Sequence, residues 1–377
     1  MTEKAQTMDL PKSATLADME SMLATMGEAR PESPLRLRTA STFDGGILSD
    51  IWAAILIGTA SRKRQCELIG WGLQEQFTSK TVFAMTPAFL TAVSVASSIS
   101  PEVGKEINRD IARRYFATKF DGLVNPTSGM TQMLVEFDPD YRNAAKLRSR
   151  AGSSVVTPTL RTRMFEQLVL KFRQQLEIGA SRRGIEPSAG GAAGDLAKFL
   201  AELHENSAEH GSRGEDGKTL PGTRFLQVKK HVANNKQALL ERSGSFDELR
   251  RYLNVAVPDV SGPALIEASL SDFGLGIVDG FSRSPAASNI KLPRRELLDE
   301  LLYTRLSSKS GDPSAGLGIQ KALQAARRMS GFVSLRTGEF WLSGSFADAD
   351  PSVRLQDVPG PHPHVAGTHW QLLWLQP

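Results

Sequence analysis

The stretch Ala264-Leu-Ile-Glu-Ala-Ser-Leu-Ser-Asp-Phe-Gly-Leu-Gly-Ile277 constrains the fold more than any other part of the chain. It reads as a strand over 264–271 that runs straight into Asp-x-Gly-x-Gly, with Asp272 at the strand end. Gly274 and Gly276 have no side chains, so a ligand can approach the backbone there. The Asp272 carboxylate can accept a hydrogen bond from an exocyclic amine such as that of adenine. A simple glycine turn explains the same residues, so the neighbouring motifs have to decide.

Three of them do. In Ala201-Glu-Leu-His-Glu-Asn-Ser-Ala-Glu-His210, the residues Glu202, Asn206 and His210 are spaced four apart and share one helical face. Leu203 and Phe199 point elsewhere, toward a core. A carboxylate such as Glu202 can orient or deprotonate an attacking water. The carboxamide oxygen of Asn206 can bind Mg²⁺, which prefers hard oxygen ligands and keeps several waters. His210 can reach a phosphate or stabilise the helix end. Farther on, Pro313-Ser-Ala-Gly-Leu-Gly-Ile-Gln-Lys-Ala-Leu323 leads a glycine-rich loop into a helix, where the N–H groups around Gly316, Leu317 and Gly318 can cradle phosphates. Gly367-Thr368 then leads into a closing strand.

These four pieces, in this order, resemble the GHKL (Bergerat-fold) ATPase superfamily, which includes gyrase B subunits, heat-shock-90 chaperones, histidine kinases, MutL and anti-sigma serine kinases. The layout is closest to the anti-sigma type. The helix matches the N box, with Glu202 at the acidic position and Asn206 at the magnesium position. Asp272-Phe-Gly-Leu-Gly276 matches the first glycine box, Ala315-Gly-Leu-Gly-Ile319 the second, and Gly367-Thr368 the last. The resemblance covers about residues 160–377. It implies ATP and Mg²⁺ as ligands, a two-layer α/β sandwich for the C-terminal part, and an ATP lid over 278–314. Two departures stand out. The interval from Asn206 to Asp272 is long and holds a polar insertion over 212–222, and the lid has few glycines beyond Gly280 and Gly311. Gly217-Lys-Thr219 looks like part of a P-loop, but position 212 is Ser and the segment follows a helix, so it is rejected.

The rest of the chain reads as mixed α/β, giving an α+β protein with a smaller N-terminal domain. Residues 1–34 are expected as a mobile arm, 35–147 as a regulatory or partner domain, 148–160 as a linker and 161–377 as the ATP-binding domain. Strands are expected at 35–39, 66–71 and 133–137, and helices at 47–60, 87–98, 103–120 and 161–178. Asp195 is expected to cap a helix that buries Leu196, Phe199, Leu200 and Leu203. Strands at 225–231, 264–271, 331–336, 340–343 and 368–375 follow, with helices within 234–253 and at 318–329.

Composition narrows the function classes. One cysteine in 377 residues, Cys66, excludes an internal disulfide and any multi-cysteine metal site. Cys66 itself reads as a core residue. The most apolar run, 51–60, is too short to span a bilayer. With no secretory leader pattern, the cytoplasm is the expected location. Between residues 142 and 183 there are ten Lys/Arg against two acids, a local +8, which leaves 35 bases against 39 acids elsewhere. This stripe could meet nucleic acid, but its two phenylalanines, Phe165 and Phe172, belong to the apolar side of the expected helix, and a solvated helix face explains the charge better.

Within the superfamily, the last expected strand lies at 368–375, and a gyrase-type second domain is not expected. All six histidines lie at or beyond position 204, so the helix expected at 161–178 carries no phosphoacceptor histidine. An acid at Glu202 suits proton removal from a water or a hydroxyl. The expectation is an Mg-ATP-binding protein that hydrolyses ATP slowly as a switch read by a protein partner. The alternatives are a serine/threonine kinase of the anti-sigma type and a non-catalytic nucleotide-sensing module. Residues 66–71 with a helix from 87 resemble the STAS domains that such kinases partner, and homodimerisation is compatible with either enzymatic reading. Lesser candidates are His362, His364 and His369 as metal ligands, and Arg283, Arg294, Arg295 and Lys309 as phosphate contacts. Trp370 and Trp374 share a strand face and are expected to pack.

Overall fold

The computed structural model describes residues 6–28, 35–39, 43, 45–63, 66–70, 88, 91, 98–101, 122–124, 131–137, 191–211, 214, 223–307, 316–347 and 353–375. They form two sheets. The first is parallel, with strands β1 (Gln6–Leu10), β2 (Leu35–Thr39), β3 (Cys66–Gly70) and β4 (Ser98–Pro101) side by side in chain order. Parallel neighbours need crossover connections. Helix α1 (Leu16–Glu28) supplies one between β1 and β2, and α2 (Ser49–Lys63) supplies the next.

The second sheet is antiparallel and has eight strands. They are β5 (Gly122–Val124), β6 (Thr131–Phe137), β7 (Thr223–Val232), β8 (Ala264–Asp272), β9 (Phe332–Gly338), β10 (Phe340–Ser345), β11 (Gln356–Asp357) and β12 (Val365–Leu375). Their spatial order is β11-β10-β9-β12-β8-β7-β6-β5. The helices are α3 (Gly191–His210), α4 (Lys236–Arg242), α5 (Asp247–Ala256), α6 (Ile277–Ser282), α7 (Arg294–Tyr303) and α8 (Gly318–Arg328). The α+β class expected from the sequence holds.

Strand alternation sorts the sheet into two faces. Ile266, Ala268 and Leu270 of β8, with Trp370, Leu372 and Trp374 of β12, face α3, α7 and α8 across one core. The two tryptophans therefore pack on one face, as their spacing predicts. Leu265 and Leu373 face the opposite way, toward a second core built by α1, α2, α4 and α5. The sheet is thus covered on both sides, and the second covering layer comes largely from the N-terminal residues.

Several boundaries differ from those read in the sequence. Residues expected as a mobile arm form β1 and α1, because Leu10, Met19, Leu23 and Met26 are buried against the N-terminal helices and sheet. The expected domain boundary at 147 cuts through a sheet, since β6 pairs with β7 from Thr131↔Lys229 to Phe137↔Thr223. The helix expected to start at Asp195 begins at Gly191, and Asp195 instead pairs with Arg328 at 2.7 Å, tying α3 to α8. The helices expected at 103–120 and 161–178, the linker and the basic segment lie outside the described residues. So does most of the helix expected at 87–98, whose last residue, Ser98, opens β4.

Helix α2 is buried at every residue from Ser49 to Ala60. A helix that is apolar all round is an interior helix, and this one has α1 and the sheet strand β12 as neighbours. Its Trp52 packs against Trp341 of β10 with centroids 4.7 Å apart and the rings tilted by 57°. Gly58 lies flat against the Phe273 ring, where a Cβ would collide with ring carbons. Gly58→Ala is expected to destabilise the protein by about 1–3 kcal/mol through overpacking. A urea titration checks this, and an unchanged midpoint would contradict the packing described.

Candidate functional site

The expected site residues occupy the end of the sheet where α3, β8, β12 and the loop before α8 meet. Helix α3 sets the first wall. Phe199, Leu200 and Leu203 are buried against the sheet, which turns Glu202 and Asn206 toward the start of α8. An ideal Cβ on Gly318 would lie 3.1 Å from Glu202 Oε2 and 3.5 Å from Asn206 Nδ2. Two motifs separated by more than a hundred residues are therefore in contact. Lys321, one turn into α8, places its Nζ 3.6 Å from Glu202 Oε1.

At the other wall, α3 ends against β8. A Cβ on Gly211 would collide with the Asp272 side chain, and one on Gly274 would lie 2.5 Å from the Gly211 carbonyl oxygen. Asp272 is 3% exposed. Its Oδ1 accepts the N–H of Gly274 at 3.2 Å and the N–H of Thr368 at 3.3 Å. Burial pushes its carboxyl up to about 6, although the Gly274 N–H, Arg224, the Thr368 N–H and Arg62 all pull the other way.

Thr368 and Gly276 join the same corner through Thr337 of β9. The Thr337 hydroxyl donates to the Gly367 carbonyl at 3.1 Å, accepts the Ile277 N–H at 3.0 Å and lies 3.4 Å from the Thr368 hydroxyl. Gly276, Gly316 and Gly367 have φ of +85°, +76° and +85°, a region other residues avoid. At Gly316 a Cβ would also press into the Arg305 backbone, and at Gly367 into the Asp272 carbonyl. Leu317 precedes α8 without a side-chain cap on the helix start.

The structure thus brings Glu202, Asn206 and Gly318 together, and separately Asp272, Gly274, Gly276 and Thr368, with Gly316 and Leu317 beside the first group. His210 closes α3, but its side chain lies outside the described residues. The segment expected as a lid is folded onto the body up to Tyr303, because Leu297, Leu298, Leu301 and Leu302 of α7 are buried in the core beside α3 and α8. Its arginines have other partners. Arg294 binds Asp279 at 2.7 Å and Glu339 at 2.5 Å, while Arg295 binds Asp299 at 2.6 Å and Asp357 at 3.0 Å. Lys309 lies outside the described residues.

The three C-terminal histidines do not converge. His362 bonds the Val358 carbonyl, His364 lies 3.4 Å from Asp279, and His369 is buried and bonds the Ala366 carbonyl. Asp279, Glu339 and His364 do approach one another within 4.8 Å. Arg294 already bridges the two carboxylates and holds Glu339 below its usual range against the effect of burial.

Sequence reasoning missed Gly211, Thr337 and Lys321. Gly211 sits directly after the helix that carries Glu202 and Asn206, so its closeness to Asp272 had a local signal in the glycine itself. Thr337 had none, being one polar residue in an alternating strand.

Among the described residues, no helix is long and apolar enough to cross a membrane. The sequence matches no protein-family model, and it matches no curated protein.

Proposed function

We propose that the chain is a GHKL-type ATP-binding protein that takes Mg-ATP between α3, the ends of β8 and β12, and the loop before α8, and hydrolyses it slowly as a conformational switch. One observation carries this reading. Four motifs spread over more than 160 residues fold to one end of a sheet, with Asp272 held by its neighbours' N–H groups and Gly318 against Glu202 and Asn206. In this reading Asp272 accepts the adenine amine, the N–H groups after Gly316 face the phosphates, and Asn206 offers its carboxamide oxygen to Mg²⁺. The metal would neutralise phosphate charge. Glu202 would orient and deprotonate the attacking water.

The Lys321–Glu202 pair favours a second reading, a nucleotide sensor that binds without turnover. Lys321 Nζ lies 3.6 Å from Glu202 Oε1, so the ammonium group would have to move aside before Glu202 could take a water as its partner. Phosphate release from Mg-ATP by the purified chain separates the two. Glu202→Gln is expected to lower the turnover rate by about 100-fold or more while leaving ATP affinity near that of the wild type. Turnover unaffected by Glu202→Gln contradicts the hydrolytic reading. Nucleotide binding with no release favours the sensor, and label from the γ-phosphate on a Ser or Thr of a protein partner favours phosphotransfer.

A further inference from the structure

Helix α2 ends beside the two chain segments that carry Asp272 and Thr368. Thr59 is fully buried, and its hydroxyl accepts the Ala366 N–H at 3.0 Å. Arg62 Nε donates to the Phe273 carbonyl at 3.1 Å, and Lys63 Nζ donates to the His364 carbonyl at 2.7 Å. The Phe273 ring rests on Gly58 and lies 5.2 Å from the His369 ring.

These partners sit where the sheet can no longer hold its own backbone. The β8–β12 ladder ends at the pair Thr368↔Asp272, and the β12–β9 register shifts between Val365 and Thr368. The Ala366 N–H and the Phe273 carbonyl therefore lie beyond the paired residues and need partners from elsewhere. Side chains of α2, an element of the parallel-sheet unit, supply them. Phe273 directly follows Asp272, and Ala366 is two residues before Thr368, whose N–H binds Asp272 Oδ1. A shift of either segment moves the carboxylate or its donor.

Resting on the nucleotide-binding reading above, we propose that Thr59 and Arg62 are positioning residues of the adenine pocket, through which the N-terminal parallel-sheet unit sets nucleotide affinity. The charged group facing Asp272 from β7 is Arg224, and the one from α2 is Arg62. Gly274 and Thr368 present N–H groups, and Gly211 of α3 presents only backbone. Loss of the Arg62 cation therefore also shifts the pH at which Asp272 loses its proton upward.

The test is titration calorimetry of the full chain with ADP and with Mg-ATP, at pH values from 5 to 8, alongside melting of the nucleotide-free protein. Thr59→Val and Arg62→Gln are expected to weaken both nucleotides about ten-fold. Thr59→Ser and Arg62→Lys, which keep the hydroxyl and the cation, are expected to restore most of that affinity. Arg62→Gln is also expected to move the pH midpoint of binding upward, and Arg62→Lys to leave it in place. Wild-type affinity and midpoint in folded Thr59→Val and Arg62→Gln overturn the positioning role. Equal losses in the conservative variants also overturn it, because they mark general packing. Should Thr59→Val not fold, the Arg62 pair at the partly exposed helix end decides. Failure of the wild type to bind either nucleotide overturns the nucleotide reading itself, and the positioning role with it.

Discussion

Asp272→Asn is expected to weaken adenine-nucleotide binding severely and, at pH 8, to make the nucleotide-free protein more stable than the wild type. Both effects follow from one buried carboxyl. Its ordinary value is 3.8, and burial raises it to about 6 in the folded chain. Between those values the folded state holds a proton that the unfolded state has released. The Asp272 contribution to stability therefore falls as pH rises through that window and is gone above about 6. The cost at pH 8 is of the order of 2–3 kcal/mol. Asn carries no charge and can keep its oxygen toward the N–H groups of Gly274 and Thr368, so the cost is relieved. Its NH₂ group then faces the exocyclic amine of adenine, donor against donor. The expected loss of affinity is about 100-fold or more, from a missing charge-assisted bond and a new unsatisfied donor. Melting at pH 5 and pH 8 with calorimetry of ADP binding checks both parts. A melting point that falls at pH 8, or ADP binding at wild-type affinity, contradicts the role of Asp272. In the wild type, ADP affinity is expected to weaken as pH falls through about 6.

The largest stability effect is expected at Glu267, on the opposite face of β8. This residue is 1% exposed. His231 Nε2 lies 2.7 Å from its Oε2, the Ser269 hydroxyl donates to its Oε1 at 3.1 Å, and the Leu48 N–H donates at 3.4 Å. Arg242 lies 3.0 Å from His231 Nδ1. An arginine can only donate, so Nδ1 is the acceptor, Nε2 carries the proton, and His231 is neutral. Burial, which lowers the His231 value, acts in the same direction. Lys229 completes the group with a 2.5 Å bond to Asp50 of α2. Burial raises the Glu267 value, but the His231 bond, the nearby positive charge and the Ser269 bond together hold it below the usual range.

Glu267→Ala leaves the Lys229 and Arg242 cations with one carboxylate fewer and the His231 N–H without its acceptor. A cost of about 3–5 kcal/mol is expected, with Glu267→Gln roughly half as costly because it keeps the acceptor. Urea titrations at pH 8 measure both, and a change below about 1 kcal/mol for Glu267→Ala contradicts the network. The histidines add a pH signature. His231 and His369 are both buried with lowered values, His369 to about 3, against 6.5 in the unfolded chain. Such groups stabilise above 6.5, and that stability is lost as pH falls below it. Acid destabilisation is therefore expected to begin near pH 6, ahead of ordinary carboxylate titration. Asp272 acts in the opposite direction over a narrower range.

Much of the site was legible because it is built from local patterns. The 3.6-residue period placed Phe199, Leu200 and Leu203 inward and therefore Glu202 and Asn206 outward. The two-residue period put Asp272 at the end of β8, and left-handed glycines mark the turns that follow. These features depend on residues within one or two turns of each other, and they survive in isolation. Asp195 illustrates the limit. A good capping residue was present, but the helix extends four residues farther back, and Arg328, far along the chain, takes the Asp195 carboxylate.

Backbone periodicity alone sets the order of the elements and the inward or outward sense of most side chains. Which surfaces meet depends on contacts between elements far apart in the chain. β5 and β6 extend the large sheet, the segment before Tyr303 folds onto the core through α7, and α2 covers the sheet face that holds Glu267. Lys229, His231 and Glu267 read as the polar side of alternating strands, and alternation alone assigns such a side to water. His231 and Glu267 are buried, and Lys229 partly so, because α2, some 200 residues earlier in the chain, is itself buried from Ser49 to Ala60 and needs cover in turn. Burial by a distant element leaves no mark in the local pattern, so the polar network and the contacts of Thr59 and Arg62 at the candidate pocket became visible only in three dimensions.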